Sequence, residues 1–123
     1  TKSVIDIINN SKWIVLPTYR EGSSKILQES IALSTPCLAS DVPGCNQIIV
    51  DKFNGFLFKS RSVNDLTDKL LQAVQLSDDD YKLLSENSFI SSEKYSHINI
   101  INKVKSEIHN FQLSERKLFF IPR

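Results

Sequence analysis

The sequence has no methionine, only two cysteines and three glycines, and almost no net charge: 15 Lys and Arg stand against 14 Asp and Glu, for a formal net charge of +1. Each shortage removes a class of function. Balanced charge removes the bulk attraction that draws a protein to nucleic acid, so no nucleic-acid partner is expected. No apolar run approaches the ~20 residues of a membrane-spanning helix. The opening "TKSVIDIINNSKW" lacks the apolar core and small-residue cleavage site of a signal peptide. Cys37 and Cys45 have no further Cys or His at ligand spacing, so no zinc site is expected. Without an export signal they read as reduced and packed. A chain that begins at Thr1 and has no methionine reads as a piece of a longer protein. Its 123 residues suffice for one domain, and 41% hydrophobic with 24% charged residues is ordinary for a globular one.

The pattern along the chain alternates helix and strand. Val4, Ile5 and Ile8 share a helical face within residues 3–10. "WIVL" (13–16) is apolar on both faces, as a strand buried in a parallel sheet is, and Pro17 closes it. "TYREGSS" (18–24) is a polar loop. From Ser24 or Lys25 to about Ser34, Ile26, Leu27, Ile31, Ala32 and Leu33 recur at helical spacing, and Pro36 ends the run. "PCLAS" predicts a second buried strand, "DVPG" a turn, residues 45–50 a short helix, Asn54-Gly55 a turn and "FLF" a third strand. Residues 62–76 predict the clearest helix, capped by Ser62 with Asp65 three residues on. Its apolar stripe reads as Val63, Leu66, Leu70, Leu71 and Val74. Ser77 and the acidic "DDD" open another helix over 77–92. Ile98, Ile101, Val104, Ile108 and Phe111 mark a last one over 97–112, and 113–123 reads as a tail.

Such alternation predicts a parallel α/β layer. Three short strands leave two open edges, so more strands are expected before Thr1, and an exposed edge is available to a second copy. The chain reads as the back half of a doubly wound domain.

Open α/β sheets take ligands at the carboxyl ends of their strands. The loop from Pro17 to Ser24 lies just past the first strand and leads into a helix whose first N–H groups are unpaired and partly positive, which suits a phosphate. Gly22 allows close approach, and Ser23 and Ser24 add small donors. Glu29 sits about 7–8 Å along the helix axis from that mouth. There a carboxylate can accept from a vicinal diol such as that of a ribose. Glu21, on the loop, can reach another hydroxylated group beyond the phosphates. An anion site between two diol-binding carboxylates matches a nucleotide sugar. Taken singly, each feature has a commoner explanation: a solvated surface Glu, an ordinary helix start, and for Asp41 a turn former. His97 and His109 read as structural or solvated.

The joint pattern resembles a known family. Leu16-Pro17-Thr18-Tyr19-Arg20-Glu21-Gly22, Gln28-Glu29-Ser30, Ser40-Asp41-Val42-Pro43-Gly44-Cys45 and Asn54-Gly55-Phe56-Leu57 stand in order and at spacing similar to the retaining glycosyltransferases with two Rossmann-like halves, the GT-B fold, which build bacterial lipopolysaccharide, O-antigen and capsule. The resemblance covers residues from about 4 to 75. It implies that residues 1–112 are the donor-nucleotide-binding half, incomplete at its start. Glu29 would hold the ribose hydroxyls. Glu21, as the catalytic-site residue, would contact donor-sugar hydroxyls near the reacting carbon. The amides of Gly22, Ser23 and Ser24 would steady the diphosphate, with Ile26 and Leu27 lining the donor site. It further implies no metal and no cofactor, a nucleotide-sugar substrate with UDP favoured over GDP, and transfer of a hexosyl group with retention to a lipid-linked or polysaccharide acceptor held by the other half. The expected location is the cytoplasm, at the inner face of the membrane. Lys103, Lys105, Arg116 and Lys117 with Phe119, Phe120 and Ile121 are the candidates for peripheral contact there, weighed against a solvated face and a frayed tail. The sequence departs from the family at Ser24, where Pro is common, at Ser30, where a small residue such as Ala follows the acid, at Ser34, which holds a Gly position where a left-handed conformation is often needed, and at Gln47, where an acid is usual. Lacking half a cleft, residues 1–123 alone are expected to be inactive. The competing readings are a truncated, non-catalytic remnant that binds a nucleotide or a partner, and an unrelated receiver-like module, for which Asp41 alone is too little.

Overall fold

The computed structural model describes residues 4–18, 24–94 and 119–123. In chain order it contains α1 (Val4–Asn9), β1 (Ser11–Leu16), α2 (Ser24–Ala32), β2 (Cys37–Ser40), β3 (Gly55–Phe58), α3 (Val63–Val74), α4 (Asp78–Ser91), a short 3-10 turn (Ser92–Lys94) and β4 (Phe119–Pro122). The strands form one sheet in the order β3-β2-β1-β4. The first three are parallel, in register Ile14↔Cys37, Val15↔Leu38 and Leu38↔Phe56, and β4 runs antiparallel to β1.

The central strands are apolar on both faces because both faces are covered. Ile14 and Leu16 point into one core with Val4, Ile8, Ile26, Leu27 and Ile31 of α1 and α2. Trp13 and Val15 point into the other with Phe56, Phe58, Ala73, Tyr81 and Leu84. Trp13 stacks on Phe56 with ring centroids 5.8 Å apart and meets Tyr81 edge-on at 5.7 Å. α3 docks on this second core through Leu66, Leu70 and the fully buried Ala73. The predicted stripe is thus corrected: Val63, Leu71 and Val74 are exposed. Small Ala73 lets the helix approach the sheet along the side marked by Leu66 and Ala73, so the other three fall past the edge of the contact.

The two predicted caps are present. Ser62 Oγ accepts from the Asp65 N–H and Ser77 Oγ from the Asp80 N–H, each at 3.1 Å. α4 crosses beneath the amino ends of β1, β2 and β3 in turn. Tyr81 donates its hydroxyl to the Lys12 carbonyl (2.7 Å), Ser85 to Ser34 (2.6 Å) and Ser88 to Asn54 (3.2 Å). This closes the amino end of the sheet and leaves the carboxyl end for other use. At the end of α2, Ser34 has φ 61, the left-handed conformation expected there, and the Thr35 N–H reaches back to Ser30 O at 2.9 Å.

Three further expectations change. Residues 45–48 form successive turns and 49–50 are irregular, with no helix over 45–50. The fully buried Asn54 takes the backbone groups that helix would use: its Nδ2 donates to Ile48 O (3.0 Å) and its Oδ1 accepts from the Val50 N–H (2.8 Å). The turn signalled by Asn54-Gly55 is made by residues 52–54, one step earlier, with the left-handed conformation on Lys52, φ 66. And within the expected tail, residues 119–122 are a strand, paired Trp13↔Ile121, Ile14↔Phe120 and Val15↔Phe119. Arg123 extends the contact, its N–H to Asn10 O and its Nε to Asn9 O, both 3.1 Å. The predicted helix over 97–112 lies outside the described residues.

The sheet edges among the described residues are therefore β3 and β4. β4 covers β1. Along the outer side of β3, Asp51 Oδ1 accepts from the Leu57 N–H (2.9 Å), Asp65 Oδ2 from the Lys59 N–H (2.6 Å), and the Lys52 N–H donates to Gly55 O (2.8 Å). Among the described residues, no helix is long and apolar enough to cross a membrane.

Candidate functional site

The carboxyl end of the sheet gathers three chain segments. Past the last β1–β2 pair, Leu16↔Ala39, the Thr18 N–H donates to Ser40 Oγ at 2.8 Å. The Ser60 hydroxyl, beyond β3, donates to Thr18 O at 3.1 Å. The Asp41 N–H donates to Phe58 O at 2.8 Å. α2 begins at Ser24, eight residues after Leu16 by number. Of the expected donor-site residues, Glu21, Gly22 and Ser23 lie outside the described residues. Ser24 is the first residue of α2.

Glu29 is in the middle of α2 and is only 4% exposed. The commoner expectation for a helical Glu, a solvated surface position, does not hold. It is the one buried carboxylate among the described residues. Its neighbours explain the burial. Ile26, Leu27, Ser30 and Ile31 are all buried, so α2 is enclosed around most of its circumference. Ile26 (2%) and Leu27 (0%) have their side chains in the core with Val4, Ile8 and Ile14, which leaves their backbone as what they offer a ligand.

Asp41 is exposed and accepts from Asn46 Nδ2 at 3.0 Å, which makes it the turn former its context suggests. Gly44, φ 88, completes that turn. Cys37 and Cys45 are free and buried, as expected. Burial pushes the Cys37 thiol up to about 12 and the Cys45 thiol up to about 11. Neither is a nucleophile near neutral pH. Sequence reasoning gave Ser40 no role beyond its motif and passed over Ser60. A serine closing a short apolar strand and another before a helix cap carry no local signal, since their shared partner, Thr18, is 22 and 42 residues away.

Comparison with known proteins fits this geometry. Among solved structures, an Anabaena protein, Alr3699/HepE in complex with UDP-glucose, superposes with a TM-score of 0.70 at 12% identity, over 88% of this chain and 30% of that one. The C-terminal domain of the group 1 family protein LpcC from Francisella tularensis gives a TM-score of 0.60 at 21% identity, over 68% of this chain and 43% of that one. These likenesses define the fold class as that of the GT-B glycosyltransferases. In sequence, the chain is 31% identical over 93 residues to the uncharacterized glycosyltransferase MJ1178 of Methanocaldococcus jannaschii, covering 76% of this chain and 26% of that protein. It is 28% identical over 93 residues to the N,N'-diacetylbacillosaminyl-diphospho-undecaprenol alpha-1,3-N-acetylgalactosaminyltransferase of Campylobacter jejuni, covering 75% and 24%. The family described as glycosyl transferases group 1 matches residues 1–89, and the chain belongs to it. It spans about a quarter of the length of these curated relatives.

Proposed function

We propose that this chain is the donor-binding portion of a glycosyltransferase that moves a hexosyl group, with retention, from a nucleotide sugar to a lipid-linked or polysaccharide acceptor. The single observation that carries the reading is the burial of Glu29 inside α2, behind a helix mouth at the carboxyl end of the sheet. A carboxylate in that place is suited to a ribose diol. The amides of Gly22, Ser23 and Ser24 take the diphosphate, Glu21 takes sugar hydroxyls at the reacting carbon, and Ile26 and Leu27 contribute backbone and the apolar floor beneath. As the glycosidic bond breaks, negative charge grows on the leaving diphosphate. Unpaired helix N–H groups aimed at it stabilise the transition state more than the ground state. No metal or cofactor is invoked, and the nucleotide is UDP before GDP.

Relatives support the substrate class. HepE has been solved with UDP and with UDP-glucose, and the Campylobacter enzyme is named for a diphospho-undecaprenol-linked acceptor. On this reading the acceptor is held by a part of the whole protein outside these residues, at the cytoplasmic face of a membrane, and the 123-residue chain alone transfers no sugar. The test is an NMR titration of the labelled chain with UDP and then GDP, repeated on Glu29→Ala and Glu29→Gln. Shifts confined to residues 20–30 and lost in both variants are expected. A well-folded spectrum that ignores millimolar nucleotide would overturn the donor site for this chain and favour a non-catalytic remnant.

A further inference from the structure

The proposed donor loop leaves β1 after Leu16 and enters α2 at Ser24, and its root is Thr18. The β1–β2 ladder ends at Leu16↔Ala39, short of that root. Two serine hydroxyls take over. Ser40, 1% exposed at the end of β2, accepts from the Thr18 N–H at 2.8 Å. Ser60 donates to the Thr18 carbonyl at 3.1 Å. The second bond spans the sheet. β3 and β1 are not neighbours, because β2 lies between them, so the chain after β3 must fold over the carboxyl end of β2 to bring Ser60 to Thr18. The Asp41 N–H bond to Phe58 O, 2.8 Å, ties the intermediate step. At Arg61, φ 63, the chain turns away into the Ser62 cap of α3. Both backbone groups of Thr18 are thus fixed by side chains from two other segments.

We infer that Ser40 and Ser60 are positioning residues for the donor loop, acting through Thr18. They fix both backbone groups of Thr18, the point from which the proposed donor loop departs. The inference rests on the donor-site reading above for its consequence, but not for its geometry. Neither serine needs to touch the nucleotide. A root fixed before the ligand arrives is pre-organisation, which raises affinity.

The test compares Ser60→Ala, Ser60→Thr and Ser85→Ala in the 123-residue chain. Ser85→Ala deletes a similar serine-to-carbonyl bond at the opposite end of the sheet, to Ser34 at 2.6 Å, and so controls for general loosening. Backbone order parameters of the amides of residues 18–24, measured without ligand, are expected to fall in Ser60→Ala, to stay unchanged in Ser85→Ala, and to be restored in Ser60→Thr. UDP affinity is expected to weaken about 3- to 10-fold in Ser60→Ala, the scale of one hydrogen bond, with no greater loss in melting temperature than Ser85→Ala shows. Unchanged order parameters in Ser60→Ala, or an equal change in Ser85→Ala, would overturn the inference. If the order parameters respond as expected but the wild-type chain binds no UDP, the clamp stands and the donor-site reading fails.

Discussion

Gly55 and Cys37 face each other across β2 and β3 so closely that a Cβ on Gly55 would stand 2.1 Å from the Cys37 carbonyl oxygen. No real Cβ tolerates that distance, and the obstacle is backbone rather than a movable side chain. Gly55→Ala must therefore push β3 off β2 at the first pair of their ladder. The expected cost is about 2–3 kcal/mol, at the upper end of what overpacking gives. A lowered urea midpoint with an unchanged slope checks it; a variant as stable as wild type would mean that the strands part at little cost.

Asn54, the residue before it, makes a second prediction. Its amide satisfies Val50 N–H, Ile48 O and the Ser91 hydroxyl, the last at 3.0 Å, from a position with no exposure. Asn54→Ala strands several polar groups at once, and a buried unsatisfied group costs roughly 1–3 kcal/mol. Asn54→Asp keeps the shape and the acceptor but loses both N–H donors, so it should destabilise as well. Thermal melts of the pair are expected to show both well below wild type. Recovery in Asn54→Asp would place the value of the residue in its Oδ1 contact alone.

The outer edge of β3 gives a third. Asp51 and Asp65 cap the outward N–H groups of Leu57 and Lys59. Replacing both by Ala uncovers a row of donors that a second chain can use. Sedimentation velocity should then show self-association that rises with concentration. Asp51→Asn with Asp65→Asn keeps acceptor oxygens in place and should stay as monodisperse as wild type; association of that pair would point to charge rather than hydrogen bonding as the guard.

These three sites mark the limit of what the sequence discloses. Where the information is local, it is legible. The apolar run 13–16 is β1, Ser62 and Ser77 are caps, and Ser34 takes the left-handed turn that ends α2. Where the cause is a distant partner, it is not. Asn-Gly signals a turn by itself, yet Gly55 is required by Cys37, 18 positions earlier. "FFIP" has no pattern that separates a tail from an edge strand, because what makes it β4 is Val15↔Phe119. Glu29 looks like a surface residue until the neighbouring elements close around α2. Its place along the helix and the resemblance of the whole motif set gave it a diol-binding role, but neither disclosed its burial. Ser40 and Ser60 are invisible for the same reason, since a hydroxyl gains meaning only from what it reaches.

The two buried thiols carry the last prediction. Their ordinary value is 9.0, and burial raises Cys37 to about 12 and Cys45 to about 11. A raised value in the folded state means that the native chain keeps a proton which the unfolded chain gives up. Stability from this source is complete below pH 9 and is lost as pH climbs through 9 toward 11 and 12. Tyr81, raised from 10.0 chiefly by burial, adds to the loss only above about pH 10. Urea midpoints should hence hold steady from pH 7 to 8.5 and begin to fall between 9 and 10, where the thiols act first. Replacing Cys37 by Ala should flatten that first part of the fall while lowering the midpoint at every pH. At pH 8 both thiols should resist an aromatic disulfide reagent in the native chain and react at once in urea. Rapid modification of the folded chain would mean that the β2 layer opens far more readily than its packing implies.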